Sequence, residues 1–213
     1  MVRRIVCLLI ALLAGGAAPA AAMPVDAPVD SAPLVDEPIL WRESRSVGKP
    51  FAGRLVDGVQ LPAEGVDFWT YDWGLRASPN RPWRRWGADR LVRTVLDVLH
   101  GYRAEHPFAP RVGVADLSRT HGGRFGKNFG GLGHVSHQNG LDVDILYPRR
   151  DGLERRAWAP RLVDEELSQA LVDRFVDAGA SYVFTGRRLD LRGPRKRVVK
   201  LTHHDDHMHV RIR

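Results

Sequence analysis

Apolar residues recur at helical spacing over residues 88–104, where Leu91, Val95, Leu99 and Tyr102 form a stripe that Val92, Leu96 and Val98 widen. His106-Pro107 ends the run, so this stretch is predicted to be an amphipathic helix. A second helix is predicted to begin at Asp164, whose carboxylate suits an N-cap, to pass through Leu167, Leu171 and Phe175, and to stop at Gly179. β-type segments fall at residues 111–117, 141–147, 181–185, 197–202 and 207–212. This order predicts an α+β domain with an antiparallel sheet core flanked by helices.

The two-residue alternation also sorts chemistry. In 141–147, Leu141, Val143 and Ile145 point to the core, and Asp142 and Asp144 share the opposite face. In 207–212, Val210 and Ile212 point inward, and His207, His209 and Arg211 stand together on the other side. Between the first two strands, Gly122, Gly123, Gly126, Gly130, Gly131 and Gly133 make a long glycine-rich loop. Long ordered loops in small domains are usually functional.

The N-terminal pattern differs. Arg3 and Arg4 precede an apolar run over residues 5–13 and a small-residue stretch ending Ala20-Ala21-Ala22, which predicts a secretory signal peptide at 1–22. The apolar core is shorter than the roughly 20 residues that span a bilayer. Pro24, Pro28, Pro33 and Pro38 make residues 23–40 a leader, and 41–213 the folded domain. The expected location is periplasmic or secreted, with no membrane span after cleavage. Cys7, the only cysteine, lies in the signal, so metal ligands in the mature chain must be His, Asp or Glu. The net charge is +7; loss of Arg3 and Arg4 leaves 30 basic and 25 acidic residues, or +5. That surplus suits a polyanionic wall or equally an Arg-rich solvated surface with no such partner, and no aromatic-basic motif points to nucleic acid.

Histidine usage is concentrated. His134 and His137 precede Asp142 and Asp144, and His203, His204, His207 and His209 crowd residues 203–209. Catalytic zinc takes about three protein ligands and keeps a further position for water. His137, Asp144 and His209 supply such a set, with one carboxylate among neutral imidazoles. His100 on the first helix and His106 before Pro107 are read as structural. Ser46-Val-Gly-Lys49 formally matches the Ser-x-x-Lys of penicillin-recognising enzymes, but no Lys-Thr-Gly or Ser-Asp-Asn accompanies it.

These residues resemble the LAS-type zinc peptidases (lysostaphin, D-Ala-D-Ala and sonic hedgehog), and most closely the penicillin-insensitive murein endopeptidases. The specific pieces are Ser136-His-Gln-Asn-Gly-Leu-Asp-Val-Asp144 and His204-x-x-His207-x-His209-Val-Arg211. Supporting pieces are Ser46-Val-Gly-Lys-Pro, Gly53-Arg-Leu, Leu61-Pro-Ala-Glu-Gly65, Trp86-Gly87, Asp116-Leu-Ser118 and Gly122-Gly123. The resemblance implies a hedgehog-like fold and a Zn2+ ion held by His137, Asp144 and His209, with His134 a further metal contact. It implies that His207 is the catalytic base and His204 a second catalytic histidine. The implied substrate is peptidoglycan, cut at the D-alanyl to meso-diaminopimelyl cross-link by metal-activated water. Arg211, His121 and Arg124 are candidates to bind the stem peptide. Residues 147–202 contain no histidine, which argues for one zinc rather than two. A zinc D,D-carboxypeptidase or dipeptidase of the same fold, or a non-catalytic zinc-stabilised wall-binding module, stands as the alternative.

Overall fold

The helical stripe becomes α1 (Asp89–Glu105), which buries Leu91, Val92, Val95, Val98, Leu99 and Tyr102. Each such side chain contributes about 1.5–3 kcal/mol by leaving water. Ala88 offers α1 no side-chain cap; instead the Asp89 amide donates to Ser44 Oγ at 3.1 Å, so a distant segment caps this helix. The second helix, α2 (Glu165–Asp177), is capped as its sequence predicts: Asp164 Oδ1 accepts from the Leu167 amide at 3.1 Å, and Gly179 follows in the left-handed conformation at φ 84°.

This computed structural model describes residues 38–126 and 134–213. The signal expected at 1–22, the leader as far as residue 37, and Gly130, Gly131 and Gly133 lie outside the described residues.

The strands, in chain order, are β1 (Arg45–Lys49), β2 (Ala52–Val56), β3 (Val59–Gln60), β4 (Phe68–Thr70), β5 (Trp86–Gly87), β6 (Val112–Val114), β7 (Asp142–Leu146), β8 (Tyr182–Gly186), β9 (Val198–Leu201) and β10 (His207–Arg211). The fold is α+β. Six strands form the main sheet in the order β4-β6-β7-β10-β8-β9, while β1-β2 and β3-β5 form two small antiparallel pairs. The inner ladders β6-β7, β7-β10 and β10-β8 are antiparallel, as the sequence predicts. Both outer ladders, β4-β6 and β8-β9, are parallel, so the sheet is mixed.

One face of the sheet carries Val112, Val114, Val143, Ile145, Val183, Met208 and Val210 into a core shared with both helices. The other face carries Trp69, Tyr71, Ala115 and Leu146 in a smaller cluster, with the polar residues of β7 and β10 beside it. Antiparallel register places His209 opposite Asp144 and Arg211 opposite Asp142, in the middle of the sheet. Cross-strand neighbours on one face stand about 5 Å apart at Cβ, close enough for direct side-chain contact.

Candidate metal centre and active site

Asp144 sits at the middle of the polar face, 1% exposed and ringed by imidazoles. His137 Nε2 lies 3.4 Å and His209 Nδ1 3.1 Å from its Oδ1, with His207 Nε2 at 4.0 Å; His134 Nδ1 is 3.8 Å from its Oδ2. His134, His137 and Asp144 each offer a ligand atom within 4.8 Å of the others, the spacing of a metal site.

The surroundings of His137 orient it as a candidate ligand. It follows the bend at residues 135–136 and takes a left-handed backbone, φ 67°, which costs a non-glycine residue of order 1 kcal/mol and often marks a functional constraint. Its amide donates to Asp142 Oδ2 at 3.2 Å. Its Nδ1 is 2.6 Å from the Leu117 carbonyl, which can only accept, so Nδ1 carries the proton and Nε2 presents a lone pair. Burial lowers the His137 pKa and keeps the ring neutral. Nε2 and Asp144 Oδ2 are both buried without a hydrogen bond among the described residues. Two buried acceptors turned on one point fit a divalent cation.

His134 has similar support. Its Nε2 is 2.6 Å from Asp116 Oδ2, leaving Nδ1 toward Asp144. Asp116 is itself fully buried; Arg84 Nε donates to its Oδ1 at 2.6 Å, Arg84 Nη2 to its Oδ2, and Asn80 Nδ2 to Oδ1 at 3.2 Å. Burial would raise the Asp116 pKa, but Arg84 and His134 outweigh it and the carboxyl stays below its usual range. Asp116 entered the sequence reading only within the Asp116-Leu-Ser118 piece, with no role assigned, and Arg84 was missed. The available signal was an aspartate two residues beyond the apolar strand β6 (Val112–Val114); nothing local points to Arg84.

His209 faces two carboxylates at once: Asp144 through Nδ1, and Asp142 Oδ1 through Nε2 at 2.9 Å. Burial alone would depress its pKa, yet the two carboxylates lift it to about 9. Asp142, held at about 2 against its own burial by His209 and Arg211, also accepts from Arg211 Nε at 2.6 Å. His209 therefore borders the group of three candidate ligands, and its ring lies 4.7 Å from that of His137. The Asp144 carboxyl lies well below its usual range; burial opposes this, and the surrounding histidines, His207 and His209 among them, more than compensate.

His207 stands one register position beyond His209 on the same face. Its Nδ1 is 2.7 Å from Asp206 Oδ1, so Nε2 points toward Asp144. Arg156 Nε donates to Asp206 Oδ2 at 2.6 Å and stacks on Trp73, whose indole meets the His207 ring edge-on at 5.1 Å. His204 Nδ1 faces the Thr202 carbonyl at 2.8 Å, its ring 4.8 Å from His207. Burial, then the neighbouring His207, lowers the His204 pKa.

A cavity of about 750 Å³ opens over these residues; Phe51, Trp73, Phe184 and Leu201 supply apolar wall, and His134, Asp144, His204, His207 and His209 line it. Arg211 lines it too, already matched by Asp142. His121 and Arg124 do not line it. Both are exposed on the stretch leading into residues 127–133, and the His121 carbonyl accepts from the Leu55 amide.

Residues 46–191 match the sequence family described as penicillin-insensitive murein endopeptidase, which is 146 of the chain's 213 residues. The chain belongs to this family. The match covers His134, His137 and Asp144 and stops before His204, His207 and His209. No curated protein matches the chain. Family membership makes the protein a hydrolase acting on peptides, with peptidoglycan as its substrate, and the cavity supplies the histidines and carboxylates that peptide hydrolysis requires.

Proposed function

We propose that the protein is an exported zinc-dependent endopeptidase that hydrolyses the D-alanyl to meso-diaminopimelyl amide cross-link of peptidoglycan. The observation that carries the metal is the convergence of His137 Nε2 and Asp144 Oδ2, buried acceptors without partners among the described residues. His137, Asp144 and His209 are the proposed ligands, with His134 a further contact on its own Asp116 support. Zinc bound there would supply Lewis acidity, lowering the pKa of a water and polarising the scissile carbonyl.

The chain's own residues do the rest. Asp206 holds His207 by Nδ1, so Nε2 is left to take a proton from water and return it to the leaving amine. His204, beside His207 in the cavity, is the proposed second proton-handling group. Asp142 fixes both the His137 amide and the Arg211 guanidinium. Hydrolysis needs no serine acylation, the step that β-lactams exploit.

Among the described residues no helix is long and apolar enough to cross a membrane. With the signal pattern at residues 1–22, the reading is a periplasmic or secreted enzyme.

The test is digestion of purified muropeptide dimers and monomers with the zinc-loaded chain, alongside metal analysis of the purified protein. Conversion of dimers to monomers, abolished by chelation and restored by zinc, is expected. Release of terminal D-alanine with dimers intact would make the enzyme a carboxypeptidase. Equal activity after complete removal of metal would sink the zinc assignment.

A further inference from the structure

Three guanidiniums line the cavity: Arg76, Arg156 and Arg211. Arg156 is engaged by Asp206 and Arg211 by Asp142. No carboxylate among the described residues forms an ion pair with Arg76, which is exposed at the cavity rim. We propose that Arg76 is the specificity residue that recognises a free carboxylate of the peptide substrate, on the side of the cavity that Trp73 shares with His207. The proposal rests on the endopeptidase reading above and adds the charge selection to it.

The backbone turn that carries Arg76 is held in place. Residues 73–76 form a short turn closed by paired hydrogen bonds between Asp72 and Ala77, with the Asp72 amide donating to the Ala77 carbonyl at 2.8 Å. Asp72, itself fully buried, accepts from the Leu75 amide at 2.9 Å and from the Arg81 guanidinium at 2.6 and 3.0 Å. At the near end of the turn Trp73 packs between Tyr71, His207 and Arg156. The turn is therefore tied to the element that contacts His207.

Arg76 takes a left-handed backbone, φ 53°, where glycine or asparagine would meet less steric opposition. Turn formation alone does not call for arginine there. A long cation at the cavity rim carries a planar pair of donors, which can hold a carboxylate through two parallel hydrogen bonds. The other two cavity arginines have their charge satisfied within the fold, so an anionic substrate group finds its uncompensated partner at Arg76. A peptide with that carboxylate amidated keeps its shape and loses the attraction.

The experiment compares kcat and KM for one cross-linked muropeptide in free-acid and amidated forms, using the wild-type chain, Arg76→Ala, Arg76→Lys and Arg76→Gly. The wild type is expected to favour the free acid by about tenfold in kcat/KM, the value of one charge-assisted contact. Arg76→Ala and Arg76→Gly should lose that preference through KM, with Arg76→Lys retaining part of it. Arg76→Gly also relieves the strained backbone, so a loss of discrimination in a variant at least as heat-stable as the wild type excludes a folding defect. A preference unchanged in Arg76→Ala, or equal losses on both peptides, overturns the proposal. If the wild type cleaves neither form, the endopeptidase reading falls and this proposal with it; cleavage without charge preference overturns this proposal alone.

Discussion

The Asp206 carboxylate holds His207 Nδ1 at 2.7 Å, and Arg156 holds the same carboxylate from its other oxygen. Burial would push the Asp206 carboxyl up, but His207 and Arg156 outweigh it and keep it ionised below the usual range. An imidazole with a fixed tautomer and ring angle handles protons better than a freely rotating one. Asp206→Asn is expected to lower kcat about 10- to 100-fold with zinc content unchanged. An unaltered kcat would show that the contact does not serve catalysis.

The pairing of Arg84 with Asp116 is fully buried on both sides. Removing one partner of such a pair strands a charge in the interior, so Arg84→Met is expected to destabilise the domain by about 3–5 kcal/mol in denaturant unfolding. Replacing both, as Arg84→Met with Asp116→Leu, should regain most of that loss. Activity should stay low in the double variant, because His134 has lost its carboxylate. A double variant as active as the wild type would remove His134 from the site.

Asp72 gives a pH dependence whose sign is fixed by its contacts. Its burial favours the neutral acid, yet the Arg81 side chain and the Leu75 and Arg81 amides prevail, and its folded pKa lies below the ordinary 3.8. A carboxyl with a depressed folded pKa stabilises the fold above its unfolded pKa and loses that contribution as pH falls through the folded value. Asp72→Asn should therefore cost about 1–3 kcal/mol at neutral pH, and the gap from the wild type should shrink below about pH 4. A gap constant from pH 7 to pH 3 would contradict this.

Metal binding to the folded chain alone must raise its stability by mass action, by about 4 kcal/mol when free zinc is a thousandfold above Kd. Zinc should raise the melting temperature of the metal-free chain. His137→Ala should abolish that rise, because the fixed Nε2 lone pair is removed. A rise that survives in His137→Ala would place the ion elsewhere.

Gly122 adopts φ +69°, and a Cβ there would press on the Gln138 carbonyl oxygen and lie 2.5 Å from the Leu55 nitrogen. Gly123 donates to that same Gln138 carbonyl, next to His137. Gly122→Ala is expected to cost about 1–3 kcal/mol and to weaken zinc binding as well, measured by competition with a chelator. Unchanged metal affinity would separate the two loops.

Both helices were legible in the sequence to within a residue or two, because α1 has a continuous apolar stripe and α2 an aspartate cap and a glycine stop. The clean alternation in β7 and β10 likewise revealed which side Asp144 and His209 face. The hairpin β1-β2 was not legible as strands: Arg45 to Lys49 and Ala52 to Val56 are largely exposed and carry little apolar alternation. Phe68 to Thr70 is too short for a period, and its parallel pairing with β6 depends on a partner 44 residues away. Within the site, the motif histidines were visible because they cluster in sequence. The Arg84 contact was not, since a partner 32 residues distant leaves no local trace.

β10 lies between β7 and β8 in the sheet although it follows both in the chain. The final described strand must insert into a slot between two earlier ones, and only then does His209 meet Asp144, a contact that closes over 65 residues. Such long-range pairing forms late and slowly. A chain with β10 unpaired thus keeps Asp144 on β7 and lacks its partners His207 and His209. Because β10 carries His207 and His209, the candidate site is whole only where this strand is paired with β7.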